Sequence, residues 1–188
     1  IMTEDIFQLM KFLKINKASF VGFSMGGAVA FQMALLHPEN VDKLVILNSG
    51  PDFNNAKDSG VDILGERTKI IKEQGFSTLA QTISAGMFPE DNQKEWRDEF
   101  EQRIVSNDED AYLKTFGELM NWGMGKKISE IPHQTLVIAS DMDYTPVEYK
   151  KSYTDKMQHA KLVVIENSRH GVVLDQAEKL NEELLKFL

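Results

Sequence analysis

Ser24 stands at the centre of Gly22-Phe23-Ser24-Met25-Gly26. Before it runs Ala18-Ser19-Phe20-Val21, a short β-like segment. After it runs Gly27 to His37, a strong helix former. A serine between a strand and a helix sits on a sharp, strained corner that pushes its hydroxyl out of the backbone, and glycines at both Gly22 and Gly26 are expected to let the backbone close up there. A serine hydroxyl is a poor nucleophile until a base takes its proton. That base is usually a histidine held by a carboxylate.

Downstream residues offer both partners. Ser140-Asp141-Met142-Asp143 follows an apolar strand-like run, and Ser168-Arg169-His170-Gly171 follows another. Of the other histidines, His37 and His133 flank prolines and His159 precedes its strand, so His170 is the expected base. For the acid, Asp143 is favoured, Asp141 competes with it, and Asp52 is a distant third. Asp141 has an alternative use in fixing its own turn. Asp175 is expected to face solvent on the last helix.

The elements that must position these groups are read from hydrophobic period and breakers. Residues 3–15 read as an amphipathic helix, with Thr3 as N-cap and Ile6, Leu9, Met10 and Leu13 on one face. Residues 19–23 read as a buried strand, 26–37 as a helix and 41–47 as a second strand. From 50 to 132 no strand pattern occurs, and helices are expected near 62–74, 77–87, 93–105 and 109–122. A strand at 134–139, a helix at 146–158, a strand at 161–165 and a closing helix at 174–188 complete the chain. This β-α-β, helical insertion, β-α-β-α order implies an α/β fold, a parallel sheet with helices on both faces. C-terminal ends of parallel strands share one edge, so Ser24, Asp143 and His170 are expected to converge there.

Composition bounds the function classes. At 188 residues, 42% hydrophobic and 27% charged, the chain can bury a real core. A net charge of −8 speaks against nucleic acid as a partner. The absence of cysteine excludes disulfides, thiolate metal sites and a cysteine nucleophile. The four histidines are scattered, with no metal-binding spacing, so no metal and no cofactor is expected. No apolar run is long enough for a membrane span. The chain opens at Ile1 in a helical pattern with no signal-like segment.

With their order and spacing, these motifs resemble the α/β-hydrolase family, especially its cap-bearing esterase and lactonase branch. Gly22-Phe23-Ser24-Met25-Gly26-Gly27 looks like the family's nucleophile elbow. The stretch from Leu136 to Pro146 is similar to its acid-bearing segment, an alignment that selects Asp143. His170-Gly171 matches its histidine, with Arg169 where glycine is common. The resemblance implies a serine hydrolase acting on a small-molecule ester or lactone, with Ser24 as nucleophile, His170 as base, Asp143 as orienter and the Met25 backbone N–H as an oxyanion donor. It implies a core of residues 1–50 and 133–188, with residues 51–132 as a helical cap whose core holds Met87, Phe88, Trp96, Phe100, Phe116, Met120, Trp122 and Met124. It also implies that the four strands are the last four of eight, in a C-terminal portion of a longer protein. A carbon–carbon bond hydrolase, a cofactor-free haloperoxidase-like enzyme and a non-catalytic ligand-binding protein of the same fold are the alternatives.

Overall fold

The computed structural model describes residues 2–54 and 61–188; Ile1 and residues 55–60, at the start of the expected cap, lie outside the described residues. The chain divides into two compact units, residues 1–52 with 124–188, and residues 53–123.

In the first unit, α1 (Met2–Phe12), β1 (Ala18–Phe23), α2 (Met25–Leu36) and β2 (Val41–Leu47) come before the break. After it come β3 (Gln134–Ser140), α7 (Val147–Thr154), β4 (Ala160–Ile165), α8 (Val172–Asp175) and α9 (Ala177–Phe187). The strands form one sheet in the order β1-β2-β3-β4, and every neighbouring pair is parallel. Helices cover both faces. The two central strands are near-continuous apolar runs, as double-sided burial demands. Alternate residues go to opposite faces. Val45, Leu47, Leu136 and Ile138 pack with Ile165, Val172 and Leu180 against the closing helices. Leu44, Ile46 and Val137, fully buried, point the other way, where α2 and α7 contact the sheet. Each such side chain contributes about 1.5–3 kcal/mol when removed from water.

Five expectations are corrected here. Val21 in β1, read as part of a buried strand, remains 48% exposed, because β1 is an edge strand of the described sheet. The apolar stripe of α1 is mostly in solvent too, with Met10 buried while Leu9 and Leu13 are exposed. Thr3 lies inside α1, not at its cap, because the helix already includes Met2. The closing helix is two pieces, broken at Gln176 (φ −137°, ψ 42°), where Asp175 turns back toward the preceding loop. Residues 124–132, expected with the insertion, belong to the sheet unit. Ile128 and Ile131 bury themselves there, and Asp52 Oδ1 accepts a hydrogen bond from Gly125 N at 2.7 Å.

The second unit holds α3 (Ile63–Gln74), α4 (Phe76–Met87), α5 (Lys94–Val105) and α6 (Glu109–Asn121). Asp62 and Asp108 cap α3 and α6 by accepting from Gly65 N and Ala111 N. Its core centres on Leu79, Ala80, Met87 and Phe88. The Phe88 ring meets Trp96 and Phe100 edge-on. Among the described residues no helix is long and apolar enough to cross a membrane.

The β1–α2 corner shows which glycines the turn requires. A Cβ on Gly22 would overlap Gly26 O and lie 2.6 Å from the Gly26 carbonyl carbon. One on Gly27 would lie 2.5 Å from Ser49 Cβ and Oγ. One on Gly26 would meet nothing within 4 Å. Close approach therefore demands glycine at positions 22 and 27, and Gly26, expected to be crowded, has room. Urea unfolding should show Gly22→Ala and Gly27→Ala each costing about 1–3 kcal/mol, as overpacking does. Gly26→Ala should stay within about 0.5 kcal/mol of the parent or gain from helix propensity. Equal costs at all three positions would contradict this account of the corner.

Candidate active site

Ser24 adopts φ 51°, ψ −119°, a conformation costly for any residue with a Cβ. The strain is held from both sides. Ser24 N donates to Leu47 O at 2.9 Å, extending the β1–β2 ladder, and Gly27 N donates to Ser24 O at 2.9 Å, opening α2. Ser49 Oγ adds a second donor to Ser24 O at 2.6 Å. The hydroxyl is thereby raised above the C-terminal edge of the sheet, at the start of a helix whose first N–H groups, Met25 N among them, have no intrahelical acceptor.

Each neighbouring strand ends by delivering a polar group to the same edge. His170 Nε2 lies 3.0 Å from Ser24 Oγ. His170 Nδ1 lies 2.6 Å from Asp143 Oδ1. An ionised carboxylate only accepts, so Nδ1 carries the proton in the neutral ring, Nε2 accepts, and Ser24 donates its hydroxyl proton toward it. The imidazole is clamped between Tyr144, stacked at 4.5 Å, and Phe23 at 5.0 Å. The structure thus brings Ser24, Asp143 and His170 together.

The rival carboxylates are engaged elsewhere. Asp141 accepts from Asn167 N and Ser168 N, both at 3.0 Å, and so ties the end of β3 to the loop that carries His170. Burial pushes its pKa up, but the backbone N–H donors together outweigh burial and hold it below the ordinary carboxylate value. Asp52 is committed to Gly125 N. Asp175, expected in solvent, is half-buried. It accepts from Ser168 Oγ at 2.7 Å and Arg169 N at 2.8 Å, bracing the histidine loop from the other side.

Three buried polar residues around these groups escape a reading of the sequence. Asn48, in the left-handed region at φ 45° and 3% exposed, donates to Ser140 Oγ at 2.8 Å, Arg169 O at 3.2 Å and His170 O at 3.0 Å. Its Oδ1 accepts from Ser140 N at 2.8 Å. Ser168 spends its proton on Asp175, so Ser140 donates to Ser168 Oγ at 2.8 Å. The chain of donors runs Asn48 to Ser140 to Ser168 to Asp175. Tyr153, on α7, anchors the other flank by donating to Ser49 O at 3.0 Å. Lys150, also on α7, is fully buried and ion-paired with Asp143. An Asn just past a strand, before Ser-Gly, is the one faint sequence signal among them.

The comparisons with known proteins agree with this frame. Residues 2–77 match a family model described as the alpha/beta hydrolase fold. A protein of Caulobacter segnis that bears the name carbamate hydrolase RutD is 25% identical over 100% of this chain and 71% of its own. The 2-hydroxy-6-oxo-6-phenylhexa-2,4-dienoate hydrolase of Burkholderia cepacia is 30% identical over 96% of this chain and 65% of its own. Among solved structures, an esterase from Exiguobacterium antarcticum superimposes with a TM-score of 0.87 at 24% identity, covering 99% of this chain and 72% of that one. The chain has the α/β-hydrolase fold, and it is similar to proteins of that family. The relatives so named are hydrolases of more than one bond type, so the family indicates hydrolysis without choosing the bond.

Burial raises the Asp143 carboxyl, but His170 and Lys150 outweigh it and hold it below the ordinary value of 3.8. A lowered folded value means the stabilisation is complete above the ordinary carboxylate range and is lost as pH falls through the folded value. Asp143→Asn should therefore cost about 3 kcal/mol at neutral pH, because it strands a buried ammonium, and should flatten the acid-unfolding profile below about pH 4. Its turnover per folded molecule should drop by about 10⁴-fold, against less than tenfold for Asp141→Asn, with thermal unfolding and ester turnover as the measurements. Equal or reversed effects would move the acid role to Asp141.

Proposed function

We propose that the chain is a serine hydrolase that cleaves a carboxylic ester or lactone through an acyl-enzyme. The observation that carries this reading is the unbroken relay from Ser24 Oγ to His170 Nε2, and from His170 Nδ1 to Asp143 Oδ1, at a serine held in a strained conformation.

In this reading Ser24 Oγ attacks the carbonyl carbon as its proton passes to His170 Nε2, and the carbonyl oxygen gathers negative charge. Met25 N–H, at the head of α2, supplies one hydrogen bond to that oxygen. Asp143 does not take the proton; it holds the ring's orientation and stabilises the imidazolium. The intermediate collapses, the alkoxide leaves with the proton from Nε2, and the acyl group stays on Ser24. Water then attacks the acyl carbon, giving its proton to Nε2, and collapse returns that proton to Ser24 as the carboxylic acid departs. A lactone follows the same steps with the alcohol still tethered to the acid. No step calls for a cofactor. The helical unit of residues 53–123 is assigned the role of cap.

The 30% identity to the dienoate hydrolase favours one second reading, hydrolysis of a carbon–carbon bond next to a ketone by the same three residues. A panel pairing simple esters and lactones with vinylogous diketones separates the two by kcat/KM.

Ser24→Ala should lose at least about 10⁴-fold in kcat/KM while unfolding at the temperature of the parent. A fluorophosphonate probe should label the parent and not the variant. Retention of more than a tenth of the parental rate would remove Ser24 from the nucleophile role. The parental rate should also fall as pH is lowered, because only the neutral imidazole accepts the serine proton. A rate flat from about pH 5 to 8 would contradict a histidine base.

A further inference from the structure

Among the described residues, Lys150 is the one charged residue in the set of largest fully buried side chains. Lysine is almost never fully buried unless paired, and this one is paired completely. Its ammonium donates to Asp143 Oδ2, to Thr145 O at 2.6 Å and to Thr145 Oγ1 at 2.8 Å. Three donors meet three acceptors. Thr145 Oγ1 donates in turn to Asp143 Oδ2 at 3.2 Å. The two carboxylate oxygens are therefore divided, Oδ1 to His170 and Oδ2 to Lys150 and Thr145, and the carboxylate is 1% exposed.

We propose that Lys150 is a positioning residue of the hydrolytic site, whose buried ammonium fixes the Asp143 carboxylate in the plane that meets His170 and balances its charge. The inference rests on the reading of Ser24, His170 and Asp143 as catalytic.

Two consequences follow. The first is geometric. A carboxylate that turns freely presents its lone pairs to Nδ1 only part of the time, whereas one gripped at Oδ2 is pre-oriented, and orientation of the base is a term in the rate. The second is electrostatic. A lone buried carboxylate beside an imidazole favours the imidazolium, and an ammonium on its far oxygen opposes that preference.

Strand β3 and helix α2 carry no charged side chain, and β4 carries only Lys161, near its start. Asp141 and Asp175 are committed to the N–H and hydroxyl donors of the histidine loop. Burial pushes the Tyr149 phenol up to about 12 and the Tyr153 phenol well above its ordinary value, so both stay neutral throughout. Burial pulls the Lys150 ammonium down from the ordinary lysine value, against the pull of Asp143.

The test compares Lys150→Met, which keeps the stem and removes the charge, with the parent chain, using p-nitrophenyl acetate from about pH 5 to 9. Near-ultraviolet circular dichroism establishes that the variant is folded. Expected is a fall in kcat of about tenfold or more, with KM changed by less than about twofold. The acid limb of kcat/KM should also move to higher pH by about one to two units, the size expected for a unit charge acting through an effective dielectric near 20. A folded variant with an unmoved acid limb, or with its loss confined to KM or to melting temperature, overturns the proposal and leaves Lys150 a structural residue.

If the variant does not fold, the parent decides the matter. Coupling is reciprocal, so the ¹⁵N resonance of the Lys150 ammonium should shift across the acid limb, and a resonance that stays fixed there overturns the proposal. Fluorophosphonate labelling of parental Ser24 keeps the two failures apart. A labelled Ser24 with an unmoved limb overturns the role of Lys150 alone, whereas an unlabelled Ser24 with a flat parental profile overturns the hydrolytic reading and this inference with it.

Discussion

Four strands running in one direction must all leave the sheet at the same edge, and everything at this site depends on that. Ser24, Asn48, Asp141 and Glu166 each directly follow the last residue of a strand. The ladder continues past the strands, with Ser24 N donating to Leu47 O, Asn48 N to Ile138 O and Asp141 N to Ile165 O. Chain segments separated by more than a hundred residues are thus brought to one edge before any side chain is chosen. An antiparallel sheet would send alternate loops to opposite ends and could not gather them. The central strands meet the cost of parallel pairing by burying apolar residues on both faces.

That edge is also where the fold tolerates what it avoids elsewhere. Ser24 and Asn48 occupy left-handed backbone conformations at the ends of adjacent strands. Each is held by a partner on the neighbouring segment: Ser24 O by Ser49, and Asn48 by side-chain bonds to Ser140 and the histidine loop. A buried carboxylate and a buried ammonium lie alongside. Either charge alone would be expelled or neutralised at this depth. Together, with Thr145 and His170 filling the remaining positions, they form a saturated set, and saturation is the condition under which a buried polar cluster gains rigidity.

The parallel sheet, the helices of both units and the juxtaposition of Ser24, Asp143 and His170 are legible in the sequence. The reason is that the signals are local and strong: continuous apolar runs for buried strands, Gly22 and Ser24 at a strand–helix junction, and Asp and His just past later strands. What is not legible depends on neighbours distant in sequence. Strand β1 has the pattern of a buried strand, but its exposure follows from its place at the sheet edge. Gly26 and Gly27 look alike on paper, and only the approach of Ser49 makes the second indispensable. Asp175 reads as a solvent-facing helix residue until the helix breaks at Gln176. Lys150 is a residue of a type that is almost never fully buried, and nothing in its sequence neighbourhood marks it out. Its seven-residue spacing from Asp143 carries no signal until α7 folds back onto the sheet.

The central claim is that Ser24 carries the substrate's acyl group between two chemical steps. Rapid quenching of a reaction with p-nitrophenyl butyrate, followed by peptide mass spectrometry, tests it directly. The account predicts a butyryl increment on the peptide containing Ser24, formed in step with p-nitrophenol release and lost as butyrate appears. Turnover of the ester with no adduct at Ser24 under conditions that make deacylation limiting, or with the increment on another residue, would contradict it.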